Sequence, residues 1–295
     1  MKNLCNICPR MCNVDRSEST GFCKAKNKPI ISKVMLHHFE EPPISGSKGS
    51  GAIFFASCTL KCVYCQNFEI STDCQGKEVS IETLASLFKQ LEDAGAHNIN
   101  LVSPTHFTNQ IIEALKIYRP KIPIIWNTSG FERAETIQKL KGFVDIFLTD
   151  IKYFSADLSK KFSLAPNYFE ECSKATLEMR KNLPVDIFEN GLITKGIIIR
   201  HLCLPHQTKD SEQIINWIFE NLGNKTYISL MSQYTPMGHA NQYPELSRKI
   251  KPIEYKILVN KLESLGFSNV FLQDYSSASD EFTPDFSENN DGFIY

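Results

Sequence analysis

The sequence predicts an α/β protein in which six βα units form a partial (βα)6 barrel behind a small N-terminal cysteine-rich module. Three observations predict it. From Gly51 onward short apolar runs alternate with amphipathic segments of helical period, the pattern of repeated βα units and a parallel sheet. Strand and helix together repeat every 25 to 45 residues, roughly, without a repeated motif, which suits a TIM-like barrel rather than a solenoid. Residues 1–48 differ in character: four cysteines, few helix signals, and a Pro42-Pro43 pair followed by a Ser/Gly-rich stretch. The expected organisation is a metal-binding module over 1–48, a barrel over 49–275 and a tail over 276–295.

Each element has its own signal. Strands are expected at 51–57, 98–103, 122–127, 144–150, 197–203 and 227–232. The clearest helix follows Ser80, a suitable cap, with Leu84, Leu87, Phe88 and Leu91 on one stripe and Gly95 to close it. Further helices are expected at 109–118, 132–141, 168–182, 211–222 and 253–265. The apolar run 269–273 reads as a terminal strand, and the tail beyond it is acidic and turn-rich.

Composition bounds the function. A chain of 295 residues with 42% hydrophobic and 22% charged residues can bury a core that needs no stapling. No stretch approaches the roughly 18 to 20 apolar residues of a membrane span, and the N-terminus lacks the apolar run of a signal peptide, so a soluble, cytoplasmic protein is expected. Lys and Arg number 32 against 33 Asp and Glu, so no global charge attracts nucleic acid or anionic membrane. Ten cysteines stand out. In a reducing compartment clustered thiols read as metal ligands or redox groups rather than as a disulfide framework.

Cys58-x3-Cys62-x2-Cys65 follows directly on the first barrel strand. Three thiolates on one short loop can wrap three corners of a cubane iron–sulfur cluster and leave the fourth iron to an outside ligand, at the sheet edge where α/β folds bind ligands. A structural zinc site wants four protein ligands, often as paired C-x2-C knuckles, and the spacing here does not supply them. Cys74, the nearest further thiol, sits in a sequence that reads as a turn.

With the aromatic Tyr64 before the last cysteine, this loop resembles the C-x3-C-x-aromatic-C motif of the radical S-adenosylmethionine (SAM) superfamily. From Cys5 to the tail the chain is similar to proteins related to pyruvate formate-lyase activating enzyme. The resemblance implies a 4Fe–4S cluster on Cys58, Cys62 and Cys65, with SAM chelating the open iron and Tyr64 near the adenine. It also implies reductive cleavage of SAM to a 5′-deoxyadenosyl radical that abstracts hydrogen, in a setting poor in oxygen, with electrons from a flavodoxin- or ferredoxin-type donor.

Polar residues at strand ends are the candidate cofactor contacts. Ser103 and Thr105 follow the second strand and are assigned to SAM by position; His106 reads equally as a core residue. Asn127, Thr128 and Asp150 match the positions that hold a monovalent cation beside SAM in activating enzymes, although Asn127 lacks the charge of the acid it replaces. Lys152 can neutralise the SAM carboxylate or pair with Asp150. Arg200 emerges from a buried strand and needs an anionic partner, by resemblance the SAM carboxylate. His201, next in the strand, faces the other way. Gln233 and Tyr234 belong to a segment that resembles one closing over the adenine.

Cys5, Cys8, Cys12 and Cys23 supply four thiolates to a second metal centre, for which zinc and a fully ligated iron–sulfur cluster both fit. The Cys8-Pro-Arg-Met-Cys12 and Gly21-Phe-Cys23 elements resemble the N-terminus of the same subgroup, and the compact C-x2-C-x3-C run leans toward iron–sulfur. His37, His38 and the following Glu40-Glu41 read as a solvated turn, and Cys172 and Cys203 as buried hydrophobes. The expected function is radical SAM chemistry, with activation of a glycyl-radical protein as the first substrate reading and a small molecule or peptide as the alternative. A two-cluster electron carrier and an RNA-modifying enzyme rank lower.

Overall fold

The computed structural model describes residues 4–273 together with Phe286 and Phe293. The rest of the tail, and with it the expected acidic segment, lies outside the described residues.

The chain begins the sheet with β1 (Ile30–His37), then passes through a single turn α1 (Pro42–Ser45) into β2 (Ser50–Phe55). After the cysteine loop come α2 (Phe68–Ser71), β3 (Lys77–Glu78), α3 (Ile81–Asp93), β4 (Ile99–Val102), α4 (Thr108–Ile117), β5 (Ile124–Thr128), α5 (Ala134–Lys139) and β6 (Ile146–Asp150). Helices α6 (Ala156–Ser163) and α7 (Tyr168–Asn182) then lead to the hairpin β7 (Ile187–Glu189) and β8 (Leu192–Leu202). The described chain finishes with α8 (Thr208–Leu222), β9 (Tyr227–Met231), α9 (Pro252–Ser264) and β10 (Val270–Leu272).

The sheet order is β10-β9-β8-β6-β5-β4-β2-β1-β3, and among the described residues the sheet stays open, a partial barrel. All six expected strands pair in parallel, and the run at 269–273 adds a seventh as β10. Strand β1, inside the segment 1–48, pairs antiparallel with β2 and so belongs to the sheet.

One face of the sheet packs on the helices. Helix α3 forms as its sequence predicts: Ser80 Oγ accepts the Thr83 amide, and Leu84, Leu87, Phe88 and Leu91 are fully buried. Each such burial stabilises by about 1.5–3 kcal/mol. The other face holds a smaller apolar cluster of Ile125, Ile146, Leu148 and Ile198, into which α1 inserts Ile44. Glu40 and Glu41, immediately before α1, are thereby carried beneath the strand ends.

The N-terminal module closes on itself through the Cys5 amide to Val14 carbonyl and Asn13 amide to Cys5 carbonyl bonds, each 2.9 Å. It docks on α5, where Thr136 Oγ1 donates to the Ile7 carbonyl at 2.6 Å and Arg133 to the Asn6 carbonyl at 2.7 Å. Among the described residues no helix is long and apolar enough to cross a membrane.

Candidate active site

Beyond Phe55 the backbone turns through positive φ at Ser57 (+76°) and Lys61 (+58°), curling residues 58–65 into a loop over the strand ends. Cys58, Cys62 and Cys65 all line one cavity of about 1180 Å³ including its open mouth. Each sulfur has a donor: Leu60 amide on Cys58 at 3.4 Å, Ser163 Oγ on Cys62 at 3.0 Å, Ser71 Oγ on Cys65 at 3.4 Å. Burial pushes the Cys62 thiol up and the Cys65 thiol up to about 12, so a bound metal's charge would be needed to make thiolates of them. Cys74 does not line the cavity, and its thiol turns to the Thr72 carbonyl at 3.5 Å.

Three soft donors, each supported by a hydrogen bond, fit a 4Fe–4S cluster with one iron left for an outside ligand. Among the described residues no group of three or more His, Cys, Asp or Glu side chains is drawn together tightly enough to hold a metal ion as it stands. The fit rests on donor chemistry and on the shared cavity.

Across the cavity the ends of β4, β5, β6 and β8 present a charged network. Asp150 Oδ1 accepts Arg200 Nε at 2.9 Å and Oδ2 accepts Lys152 Nζ at 2.5 Å. Arg200 Nη1 donates to Glu40 Oε2 at 3.2 Å and Nη2 to Asn127 Oδ1 at 2.6 Å. Glu40 Oε1 in turn accepts Asn100 at 2.8 Å and Asn127 at 3.1 Å. Burial alone would raise the Asp150 carboxyl, but Arg200 and Lys152 outweigh it and hold it below its ordinary value. Burial likewise opposes the charge of Lys152, and Asp150 more than restores it. The Glu41 carboxyl is pushed up by burial against the pull of Arg200.

Ser103, Asn127, Thr128, Asp150, Lys152, Arg200, Gln233, Tyr234 and Tyr64 line the same cavity as the three thiols. Tyr64 and Tyr234 meet edge to face with centroids 5.9 Å apart, and Gln233 Oε1 accepts Gln273 Nε2 at 3.0 Å. The Tyr64 hydroxyl lies 2.7 Å from that of Tyr153, which lies 2.7 Å from Ser163 Oγ, the donor to Cys62.

Thr105 does not line the cavity. Its hydroxyl donates at 2.6 Å to Oε1 of the buried Glu132, which also accepts Thr128 Oγ1 at 2.7 Å and Trp126 Nε1 at 3.0 Å. His106 and His201 are buried and bonded to the Ala56 and Ile151 carbonyls, and burial lowers them to about 3 and about 4. The quartet Cys5, Cys8, Cys12 and Cys23 also lies outside the cavity. Its thiols act on one another electrostatically, with Cys8 raised to about 12 chiefly by burial.

Glu40 is the residue that sequence reasoning missed. The stretch 37–41 reads as a solvated turn, yet His37 and Glu41 are buried and Glu40 pairs with Arg200. The reason is α1, which plugs the sheet and drags the turn inward. The available signal was Arg200 itself, since a guanidinium on a buried strand has five donors to satisfy and one carboxylate cannot do it. Ser163 was missed too, because nothing in the sequence marks α6 as a neighbour of the cysteine loop.

Comparison with known proteins places the chain. The profile of the Radical SAM superfamily matches residues 52–218, more than half of it. The uncharacterized protein MJ0674 of Methanocaldococcus jannaschii is 31% identical over 258 residues, covering 83% of this chain and 70% of that protein. Among solved structures, Streptococcus suis SuiB bound to its precursor peptide SuiA aligns with a TM-score of 0.50 at 11% identity, over 74% of this chain and 47% of SuiB. Methylornithine synthase (PylB) aligns with a TM-score of 0.49 at 12% identity, over 82% of this chain and 72% of PylB. The chain thus spans about half the length of SuiB, and that likeness shows the fold alone. The family match covers most of β2, the three-cysteine loop and the strands β4 to β8, though not β9 and the segment after it, and the chain belongs to the radical SAM superfamily.

Proposed function

We propose that Cys58, Cys62 and Cys65 hold a 4Fe–4S cluster and that the facing strand ends hold SAM against it. The observation that carries this is the meeting of three thiols, with Cys74 turned away, and a charge-balanced polar wall in one cavity. When bound, cluster and SAM together supply reductive cleavage and hydrogen abstraction by the 5′-deoxyadenosyl radical.

The chain's own residues position and shield. Tyr64 and Tyr234, edge to face, supply an aromatic wall for the adenine, with Gln233 beside it. Lys152 at the cavity wall meets the SAM carboxylate. Arg200 holds Asp150, Glu40 and Asn127 in place through Nε, Nη1 and Nη2, and so fixes the wall that faces SAM. Both Asp150 oxygens already hold a partner, Lys152 and Arg200, so a monovalent cation at this position would share the carboxylate with them. Thr105 contributes through Glu132 rather than by contact.

The substrate reading is a glycyl residue of a partner protein, on the similarity to activating enzymes, with a small molecule or peptide as the alternative. A flavodoxin- or ferredoxin-type donor supplies electrons, and the N-terminal quartet holds an iron–sulfur cluster or zinc. The test is anaerobic incubation of reconstituted protein with SAM and a strong reductant: 5′-deoxyadenosine should form, and its absence above a Cys58→Ala control overturns the reading.

A further inference from the structure

Arg10 lies in the Cys8-Pro-Arg-Met-Cys12 loop of the N-terminal module, and its guanidinium reaches across to the second cysteine loop and the end of α6. Nε donates to the Thr59 carbonyl at 2.8 Å, inside the Cys58–Cys62 stretch. Nη2 donates to the Ser163 carbonyl at 3.0 Å and Nη1 to the Leu164 carbonyl, at the C-terminal end of α6. The same plane stacks over Phe22, with 3.8 Å from Cζ to the ring centroid, and near Phe131 at 5.2 Å. Phe22 itself adjoins Cys23, and its amide donates to Cys12 Sγ at 3.3 Å.

Three consequences follow from this placement. The carbonyl ends of α6 carry the negative pole of that helix, which a cation suits. Residue Ser163, whose carbonyl Arg10 holds, is also the donor to Cys62 Sγ, so Arg10 fixes the geometry of that hydrogen bond. And the guanidinium interacts electrostatically with Cys8 and Cys12 on one side and with Cys58 and Cys62 on the other. A fixed cation so placed favours whichever state of a thiolate-bound centre carries more negative charge.

We propose that Arg10 is a positioning residue that couples the two thiol sets. Its fork pins the Cys58–Cys65 loop and Ser163, and its charge raises the reduction potential of the centre at Cys58, Cys62 and Cys65. This rests on the function proposed above. A lysine keeps the charge but cannot reach three carbonyls in one plane.

The experiment is an EPR-monitored redox titration of the anaerobically reconstituted full chain, following the signal that changes when SAM is added, since only a centre with an open iron responds to SAM. Arg10→Gln is expected to shift the reduction equilibrium about tenfold toward the oxidised state, a fall of about 59 mV for one electron. Ser163→Ala is expected to shift it in the same direction, and the double variant by less than the sum, because Arg10 acts partly through Ser163. Arg10→Lys should recover more of the potential than Arg10→Gln. Loss of the SAM-responsive signal in Arg10→Gln, with far-UV circular dichroism unchanged, also supports the pinning. If Arg10→Gln does not fold, Arg10→Lys and Ser163→Ala decide: a potential unmoved in both overturns the proposal. Full iron content with an unmoved potential in Arg10→Gln overturns it alone, whereas a wild-type protein with no SAM-responsive signal overturns the function reading and this inference with it.

Discussion

Asp150→Asn tests the charge balance of the cavity wall. The substitution keeps the shape and removes the one carboxylate shared by two cations, Arg200 Nε at 2.9 Å and Lys152 Nζ at 2.5 Å. The Asp150 side chain is 10% exposed and the two cations 16% each, so water recovers little of the loss. Breaking a buried ion pair costs about 3–5 kcal/mol. Arg200 keeps Glu40 at 3.2 Å, which leaves Lys152 as the stranded charge and brings the expectation to the lower end, about 3 kcal/mol. Equilibrium urea unfolding of both proteins at pH 7 measures it. Because the fold holds the Asp150 carboxyl below its ordinary value, its contribution is present above about pH 4 and is lost as pH falls through the folded value. The difference between the proteins should therefore shrink on acidification. A variant within about 0.5 kcal/mol of wild type at pH 7 refutes the charge-balanced wall.

Gly130 has φ +78°, and a Cβ there would stand 2.2 Å from the Asp150 carbonyl oxygen and 2.7 Å from Cys172 Sγ. Gly130→Ala should cost about 2–5 kcal/mol from left-handed backbone strain and overpacking, read as a lowered Tm; an unchanged Tm contradicts the crowding. His201 is buried neutral, lowered to about 4, so stability should fall as pH drops below about 6.5, by up to about 3 kcal/mol near pH 4. His201→Gln should flatten that part of the pH–stability curve, and an equally steep curve assigns the loss elsewhere. Cys74→Ala should leave iron content and SAM-dependent 5′-deoxyadenosine formation unchanged; loss of iron would make Cys74 a ligand.

How much was legible follows from where information sits. Parallel strands buried on both faces are runs of apolar residues, so 98–103 and 144–150 stand out, and the polar residues that end them are conspicuous by contrast. Asp150, Lys152 and Arg200 stand out in this way, and all three line the cavity. Thr105 lies outside the cavity because strand-end position fixes a neighbourhood but not a direction, and its hydroxyl turns to the buried Glu132. Glu40 was hidden because a short polar turn carries no periodicity; only α1 filling the sheet's open face decides that it points inward. Helix α6 was hidden for a similar reason, having just Ser159, Phe162 and Ser163 buried along its length. Arg10 shows the same limit, since its partners are backbone carbonyls, which every residue possesses.

The contacts that complete the cavity also set an order of events. Arg200 and Glu40 are 160 positions apart, and Arg10 reaches Ser163 across 153. Local α3 and the β2–β4 crossover can form as soon as their residues exist, but closing segments of that length costs entropy that only the finished sheet repays. A chain emerging from the ribosome therefore carries Cys62 through the 101 positions that precede Ser163, the helix end that supports it, and Glu40 through the 160 positions that precede Arg200, which neutralises it. Competence to hold a cluster with the designed hydrogen bonds arrives late, after β8 has joined β6, and early metal capture by the bare loop would meet an unfinished wall.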